Sequence, residues 1–194
     1  MDISAFWGII EAARARSRPG MPFDQALVGY LATLPRQDIV EFQQRFDQMH
    51  SALYRWDVWA AAYLIGGGCS DDSFIDFRAG LIAQGSDWYE RVAASPDSLA
   101  GHPALADAPA RTQDEPLFYE AVNYAAPDAY ERATGAGRQH FYDALRSYES
   151  SRVHPGPAGK DFDFDDDHEM RQRLPRLSAL YLPRPPRLSG ADDS

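Results

Sequence analysis

The sequence predicts an all-α fold: a single-domain, multi-helix orthogonal bundle of about seven to nine helices over residues 1–182, followed by a disordered tail over residues 183–194. Three observations carry this expectation. Ala contributes 29 residues while Val, Ile and Thr together contribute 16, so the best helix former dominates and strand formers are scarce. Several stretches repeat apolar residues at spacings of three and four, and none alternates with period two between hairpin turn signals. With 44% hydrophobic and 25% charged residues, the chain of 194 residues has ordinary globular composition. At that length about two-thirds of the unfolded surface can be buried without a metal or disulfide.

The first helix is predicted from Ser4 to Arg16, with Phe6, Ile9, Ile10 and Ala13 facing inward and Arg18-Pro19-Gly20 ending it. Pro22 suits the first turn of a second helix, whose stripe is Phe23, Leu27, Leu31 and Leu34. Pro35 is placed in the same way before a third, with Ile39, Phe42, Phe46, Met49 and Leu53 as its seam and Gln43, Gln44, Arg45 and Gln48 facing solvent. A short apolar helix from Trp56 to Ile65 must stop at Gly66-Gly67-Gly68. Ser70 then caps the next helix, with Asp71 and Asp72 in its first turn and Gly85 after its end.

Ser86 is the predicted cap of a helix covering Trp88 to Ala94, and Ser95 to Ser98 and Pro103 to Thr112 read as turn and loop. Further short helices are expected over Pro116 to Ala125, Pro127 to Thr134 and Arg138 to Tyr148, the last with Phe141, Leu145 and Tyr148 inward. Residues 153–160 read as a flexible connector. A final helix carries Met170, Leu174, Leu177 and Tyr181 inward and is bent by Pro175. Beyond Leu182 the Pro/Arg-rich end has nothing to bury.

A net charge of −10 and the lack of a Lys/Arg cluster argue against unaided nucleic-acid binding. No apolar run reaches the roughly 20 residues needed to span a bilayer, and the N-terminus lacks the pattern of a secretory signal. A cytoplasmic location is therefore expected. Lys160 is the only lysine among 19 basic residues, which with abundant Ala, Pro and Asp suggests a GC-rich bacterial source. The single cysteine, Cys69, excludes an intramolecular disulfide and any multi-cysteine zinc site.

Chemically suggestive residues concentrate between Tyr54 and Trp88, which holds three of the four tryptophans. The candidate cleft comprises Arg55, Trp56, Asp57, Trp59, Tyr63, Asp71, Asp72 and Arg78. Arg78 shares a helical face with Phe74 and Leu81, so it must end near the core, and a buried guanidinium calls for a carboxylate, with Asp57, Asp71 and Asp72 as candidates. One reading makes this cluster a cleft for a small anionic, peptidic or aromatic ligand. The other makes it an internal ion pair bracing two helices around a tight glycine turn, a common arrangement and the one favoured here.

Cys69 precedes a helix N-terminus, where a thiol pKa can fall. Asp71 and Asp72 oppose that effect and no histidine lies in the segment, so a small buried thiol is the expected role. In the run Asp161 to Glu169, Asp161, Asp163 and Asp165 match the first positions of a calcium loop. The match fails where Asp166 replaces the turn glycine and Gln172 the bidentate glutamate, so no metal is assigned. A solvated acidic start to the last helix explains the run, with Phe162 and Phe164 able to pin it onto the bundle. No phosphate-loop, dinucleotide, nucleophile-elbow or zinc-protease motif occurs, and no cofactor is expected.

The stretch Tyr54-Arg55-Trp56-Asp57-Val58-Trp59-Ala60-Ala61-Ala62-Tyr63-Leu64-Ile65, with Gly67-Gly68-Cys69-Ser70-Asp71-Asp72, Phe77-Arg78 and Leu81-Ile82-Ala83-Gln84-Gly85, resembles the core of the bacterial domain-of-unknown-function family 4240. The Phe6-Trp7 opening with Ile10, Glu11 and Ala13, and the closing acidic run before Leu174-Pro175-Arg176-Leu177, are similar too, so the resemblance extends over most of residues 4–182. The family pattern leads one to expect asparagine where this chain has Gly66. The resemblance implies no reaction and transfers no catalytic residue.

The expected function is a binding or protein-interaction module that recognises a small molecule or protein partner through the Arg/Trp/Asp cluster. One alternative is a small-molecule enzyme with Asp57 or Asp71 as general base beside an anion-holding arginine. A second is an acidic regulator or immunity-type protein for a basic partner, resting on net charge. Oligomeric state is not encoded in any recognisable pattern.

Overall fold

The computed structural model describes residues 1–106, 117–146 and 156–183 and is all-α. Among these residues strand-like pairing is confined to isolated bridges, Arg18 with Met21 and Arg55 with Ala158. The expected inward positions of Tyr148, the start of the connector at 153–155 and all but the first residue of the 183–194 tail lie outside the described residues.

The helices follow the apolar periodicity closely. α1 (Ile3–Arg16) buries Phe6, Ile9, Ile10 and Ala13, and the Asp2 carboxylate accepts the Ala5 amide at its start. α2 (Phe23–Leu31) and α3 (Arg36–Ala52) bury Phe23, Leu27, Leu31, Ile39, Phe42 and Phe46. Pro22 and Pro35 stand at the N-cap of these helices rather than inside the first turn, each in extended backbone. Gln43, Gln44 and Arg45 are half-buried instead of fully solvated, the Arg45 guanidinium donating back to Met1 O at 2.7 Å, while Gln48 is exposed as expected.

α4 (Trp56–Gly66) ends with Gly67 in the left-handed region at φ 66, and Gly68 follows at φ 130, which explains why glycines stand there. Ser70 caps α5 (Asp71–Ala83) by accepting the Ser73 amide at 3.2 Å. α6 (Ser86–Ala94) corrects the expected Ser86 cap: Gly85 is the N-cap at φ 88, and the Ser86 amide is taken by the Glu11 carboxylate of α1 at 3.3 Å. A Cβ on Gly85 would lie 2.2 Å from both Arg14 Nη1 and Glu11 Oε1, so α1 supplies the cap and glycine leaves room for it.

Pro96–Gly101 and Pro103–Leu105 form 3₁₀ turns where the sequence suggests only turn and loop. Of the helix expected over 116–125, residue 116 lies outside the described residues and no α-helix forms over 117–124. Leu117 has φ 75, the Tyr119 amide donates to Asp76 O of α5 at 3.0 Å, and only a 3₁₀ turn (Glu120–Tyr124) precedes α7 (Ala125–Thr134). Gly80 allows this close approach, since a Cβ there would fall 1.8 Å from Leu117 O. α8 (Arg138–Arg146) buries Phe141 and Leu145. The last predicted helix is divided rather than bent: α9 (Asp167–Arg173) and α10 (Pro175–Tyr181) meet at Leu174, forced out of helical backbone (φ −130, ψ 60) by the following proline.

One apolar cluster draws residues from α1 to α10, with Phe6, Phe42, Phe74, Phe77 and Phe141 among its fully buried side chains. α1 packs on α2, α2 on α7, and α3 on α7 and α8, while α10 lies against α4, α9 and the Pro96–Gly101 turn. No helix among the described residues is long and apolar enough to cross a membrane.

Candidate functional site

The segment from Tyr54 to Arg78 is organised by the reversal at Gly67–Gly68, which lays α5 back against α4. Arg55, in extended backbone at φ −139, precedes α4 and offers no side-chain cap. Its guanidinium instead grips Asp57 through two contacts, including Nε to Oδ1 at 3.0 Å, and donates through Nη1 to Ala93 O at 2.6 Å. Asp57 Oδ1 also accepts the Val58 amide at 2.9 Å. These two residues therefore tie the start of α4 to the end of α6.

Arg78 is only 7% exposed. Contrary to the expected pairing with Asp57, Asp71 or Asp72, it forms no ion pair among the described residues. Nη1 donates to His50 O at 3.1 Å and Nε to Phe74 O at 3.3 Å, while Cζ lies 4.7 Å from the Tyr54 ring centroid and 4.8 Å from that of Phe74. The buried charge is thus met by the negative end of the α3 dipole and by two π faces. Asp57 is engaged by Arg55, and Asp71 and Asp72 stay exposed in the first turn of α5, where the dipole favours them. Burial draws the Arg78 pKa down to about 10, with Tyr54 and Cys69 acting in the opposite direction.

His50 is the neighbour that the sequence did not single out. Its Nε2 meets Ile75 O at 2.9 Å, and its ring stacks on Phe46. Burial and then the Arg78 charge push its pKa down to about 4, leaving it neutral near pH 7. No sequence signal links positions 50, 75 and 78, because α3 and α5 meet only in the fold.

On the outer face of α4, Trp56 stacks on Trp59 at 5.6 Å with an 11° interplanar angle, and Trp59 stacks on Phe74 at 4.8 Å and 14°. Trp59 Nε1 donates to Cys69 O at 3.0 Å, so the half-buried cysteine anchors the ring through its backbone. This aromatic shelf is covered. Phe164 lies edge-on to Trp56 at 6.0 Å and against Tyr63 at 5.5 Å, the Tyr63 hydroxyl donates to Asp165, and Phe162 packs on Phe164 under the Arg173 guanidinium. The Asp165 hydrogen bond raises the Tyr63 pKa. Upstream, the Trp56 amide donates to Ala158 O at 3.0 Å and the Ala158 amide to Tyr54 O at 2.8 Å. Within the stretch read from sequence as connector, Ala158 is therefore paired with the chain that enters α4.

The acidic run caps α9: Asp166 Oδ1 accepts the His168 and Glu169 amides at 2.8 and 3.2 Å. Among the described residues no group of three or more His, Cys, Asp or Glu side chains is placed to hold a metal ion. Cavities among the described residues also lie elsewhere. One of about 420 Å³ has Gln43, Asp47, Asn123, Phe141, Leu145 and Arg146 in its lining, and one of about 220 Å³ borders Arg14, Phe23, Gln84 and Tyr119.

A family model described as "Protein of unknown function (DUF4240)" matches residues 1–132. The chain belongs to this family. The match contains the whole α4–α5 region and ends inside α7, so residues 156–183 lie beyond it, although the sequence resemblance suggested that the acidic run and last helix belong to the pattern. Gly66, standing where the family pattern suggested asparagine, has Phe118 Cζ 3.1 Å from where its Cβ would be, so a side chain there would press on that ring. No curated protein and no solved structure matches the chain.

Proposed function

We propose that this DUF4240 member is a non-catalytic binding module whose recognition surface is the outer face of α4, built from Trp56, Trp59 and Tyr63 with Arg55 and Asp57 at its entrance. One observation carries the reading: this face already accepts a separate stretch of chain, by an aromatic ring seated on stacked indoles and by backbone pairing at the start of α4. Stacked tryptophans beside an arginine are typical of binding hot spots. Asp71, Asp72 and the buried Arg78 serve as helix-start charges and internal brace in this reading.

The enzyme alternative loses support from the same geometry. Asp57 is held by Arg55 and the Val58 amide, which suits a fixed carboxylate better than a proton-shuttling base, and Asp71 is exposed at a helix start. An acidic regulator continues to rest on the net charge of −10 alone.

The test is capture of partners by immobilised full-length protein, comparing wild type with Trp56→Ala. The variant is expected to lose partners that wild type retains while keeping the same helical circular-dichroism signal. Capture of an unchanged set by folded Trp56→Ala excludes the α4 face as the recognition surface. Unfolding of the variant assigns the cluster to bracing alone.

A further inference from the structure

We propose that the α4 face is a groove for an extended acidic–aromatic peptide of a partner protein, and that residues 156–166 of this chain are a built-in competitor occupying it. The inference rests on the binding-module reading and adds its partner class and regulation.

The occupied state displays the grammar of the ligand. α4 has no side-chain N-cap, and the Trp56 amide left over at its start is satisfied by the Ala158 carbonyl. The Ala158 amide returns a bond to Tyr54 O, so the segment is held as an added strand would be, by main-chain bonds any sequence can offer. Selectivity comes further along. Phe164 fills the seat between Trp56, Trp59 and Tyr63, and the Tyr63 hydroxyl donates to the next residue, Asp165. A phenylalanine followed by a carboxylate is thus the recognised pair.

The segment is held from outside the core. Ala158, Asp161, Asp163 and Asp165 are all exposed, and attachment to α4 runs through one backbone bridge, the Phe164 ring and the Tyr63–Asp165 hydrogen bond, while Phe162 and Asp166 tie it to α9. Groove and occupant also differ in their membership of the family pattern: Trp56, Trp59 and Tyr63 fall within the matched residues 1–132, whereas 156–166 lie outside them. Because the occupant is on the same chain, its effective concentration is high, and an incoming peptide of the same kind must bind to the undocked fraction.

The experiment uses a fluorescein-labelled peptide with the sequence of residues 156–166 and a scrambled control, titrated by anisotropy against full-length proteins. Phe164→Ala, with its seat vacated, is expected to bind the peptide roughly tenfold or more tightly than wild type, and the scrambled peptide to bind neither. Adding Trp56→Ala to Phe164→Ala should return the signal to background. Asp165→Asn alters one exposed side chain and loosens docking without removing core; a smaller gain is expected, which keeps the test available if Phe164→Ala does not fold. Equal affinity of wild type and both strap variants overturns the competitor while leaving the groove as a peptide site. Absence of binding to every protein overturns the partner class, and the Trp56-dependent capture described above then decides separately whether the α4 face binds anything.

Discussion

Arg78 illustrates how a buried charge can be met by carbonyl oxygens and aromatic faces, with no ion pair among the described residues. Its guanidinium satisfies the His50 carbonyl at the end of α3 and lies over Tyr54 and Phe74, so removing it strands an acceptor and two π contacts. Arg78→Met, similar in reach but unable to donate, is expected to cost about 1–3 kcal/mol in denaturant unfolding. Arg78→Lys should recover little, because a point ammonium cannot span Phe74 O and His50 O as the planar fork does. Stability equal to wild type in Arg78→Met would remove the brace role.

His50 makes the same junction sensitive to acid. Its pKa is near 6.5 unfolded and about 4 folded, so between these values the unfolded chain holds a proton that the folded one does not. Stability is accordingly complete above about pH 7 and declines as pH falls from 6.5 through 4, by about 1–3 kcal/mol. Thermal unfolding of His50→Gln should be less sensitive to that pH interval than wild type; an identical pH dependence would show that the junction does not sense this proton.

At the scale of elements, the helices that were legible from sequence are those whose seams are long and whose ends carry local signals, such as α1, α3 and the Ser70-capped α5. The misread ends are those capped from a distance. Glu11 takes the first amide of α6, and Asp97, itself 9% exposed, accepts the Arg176 and Leu177 amides at the start of α10 at 3.0 and 2.9 Å. No window of neighbouring residues contains such a partner. Asp97→Ala is expected to destabilise the protein by about 1–2 kcal/mol in urea, with Asp97→Asn losing less because it keeps one acceptor oxygen. If Asp97→Ala matches wild type, the link between the Pro96–Gly101 turn and α10 contributes no stability. The helix expected over 116–125 fails for a related reason: Gly80 opens a slot on α5, and the backbone around Leu117 enters it.

For the molecule as a whole, stability is unevenly distributed. The interior phenylalanines join α1, α3, α5 and α8 in one apolar cluster, whereas residues 156–166 pack on it from outside, with Ala158 exposed at a single backbone bridge. Native-state hydrogen exchange should therefore show the Ala158 amide exchanging through a local opening, faster than the Phe46 and Leu81 amides, which should approach the global limit. Exchange of Ala158 at the core rate would make the strap an integral part of the fold.

Composition and the three–four repeat of apolar residues were enough to determine the all-α class and most helix boundaries, because both depend on residues close together in the chain. The concentration of Trp56, Trp59, Tyr63, Arg55 and Arg78 was equally visible. What each of them touches was decided only by tertiary structure. Arg78 found a helix end and two aromatic rings instead of an aspartate, and Trp56 and Trp59 found Phe164, 108 and 105 positions away in sequence, through a fold that brings α4 and the acidic segment together. Helix formation is a short-range balance of propensity and burial, whereas partner choice for a buried charge or an exposed ring depends on which distant surface the packed core delivers to it.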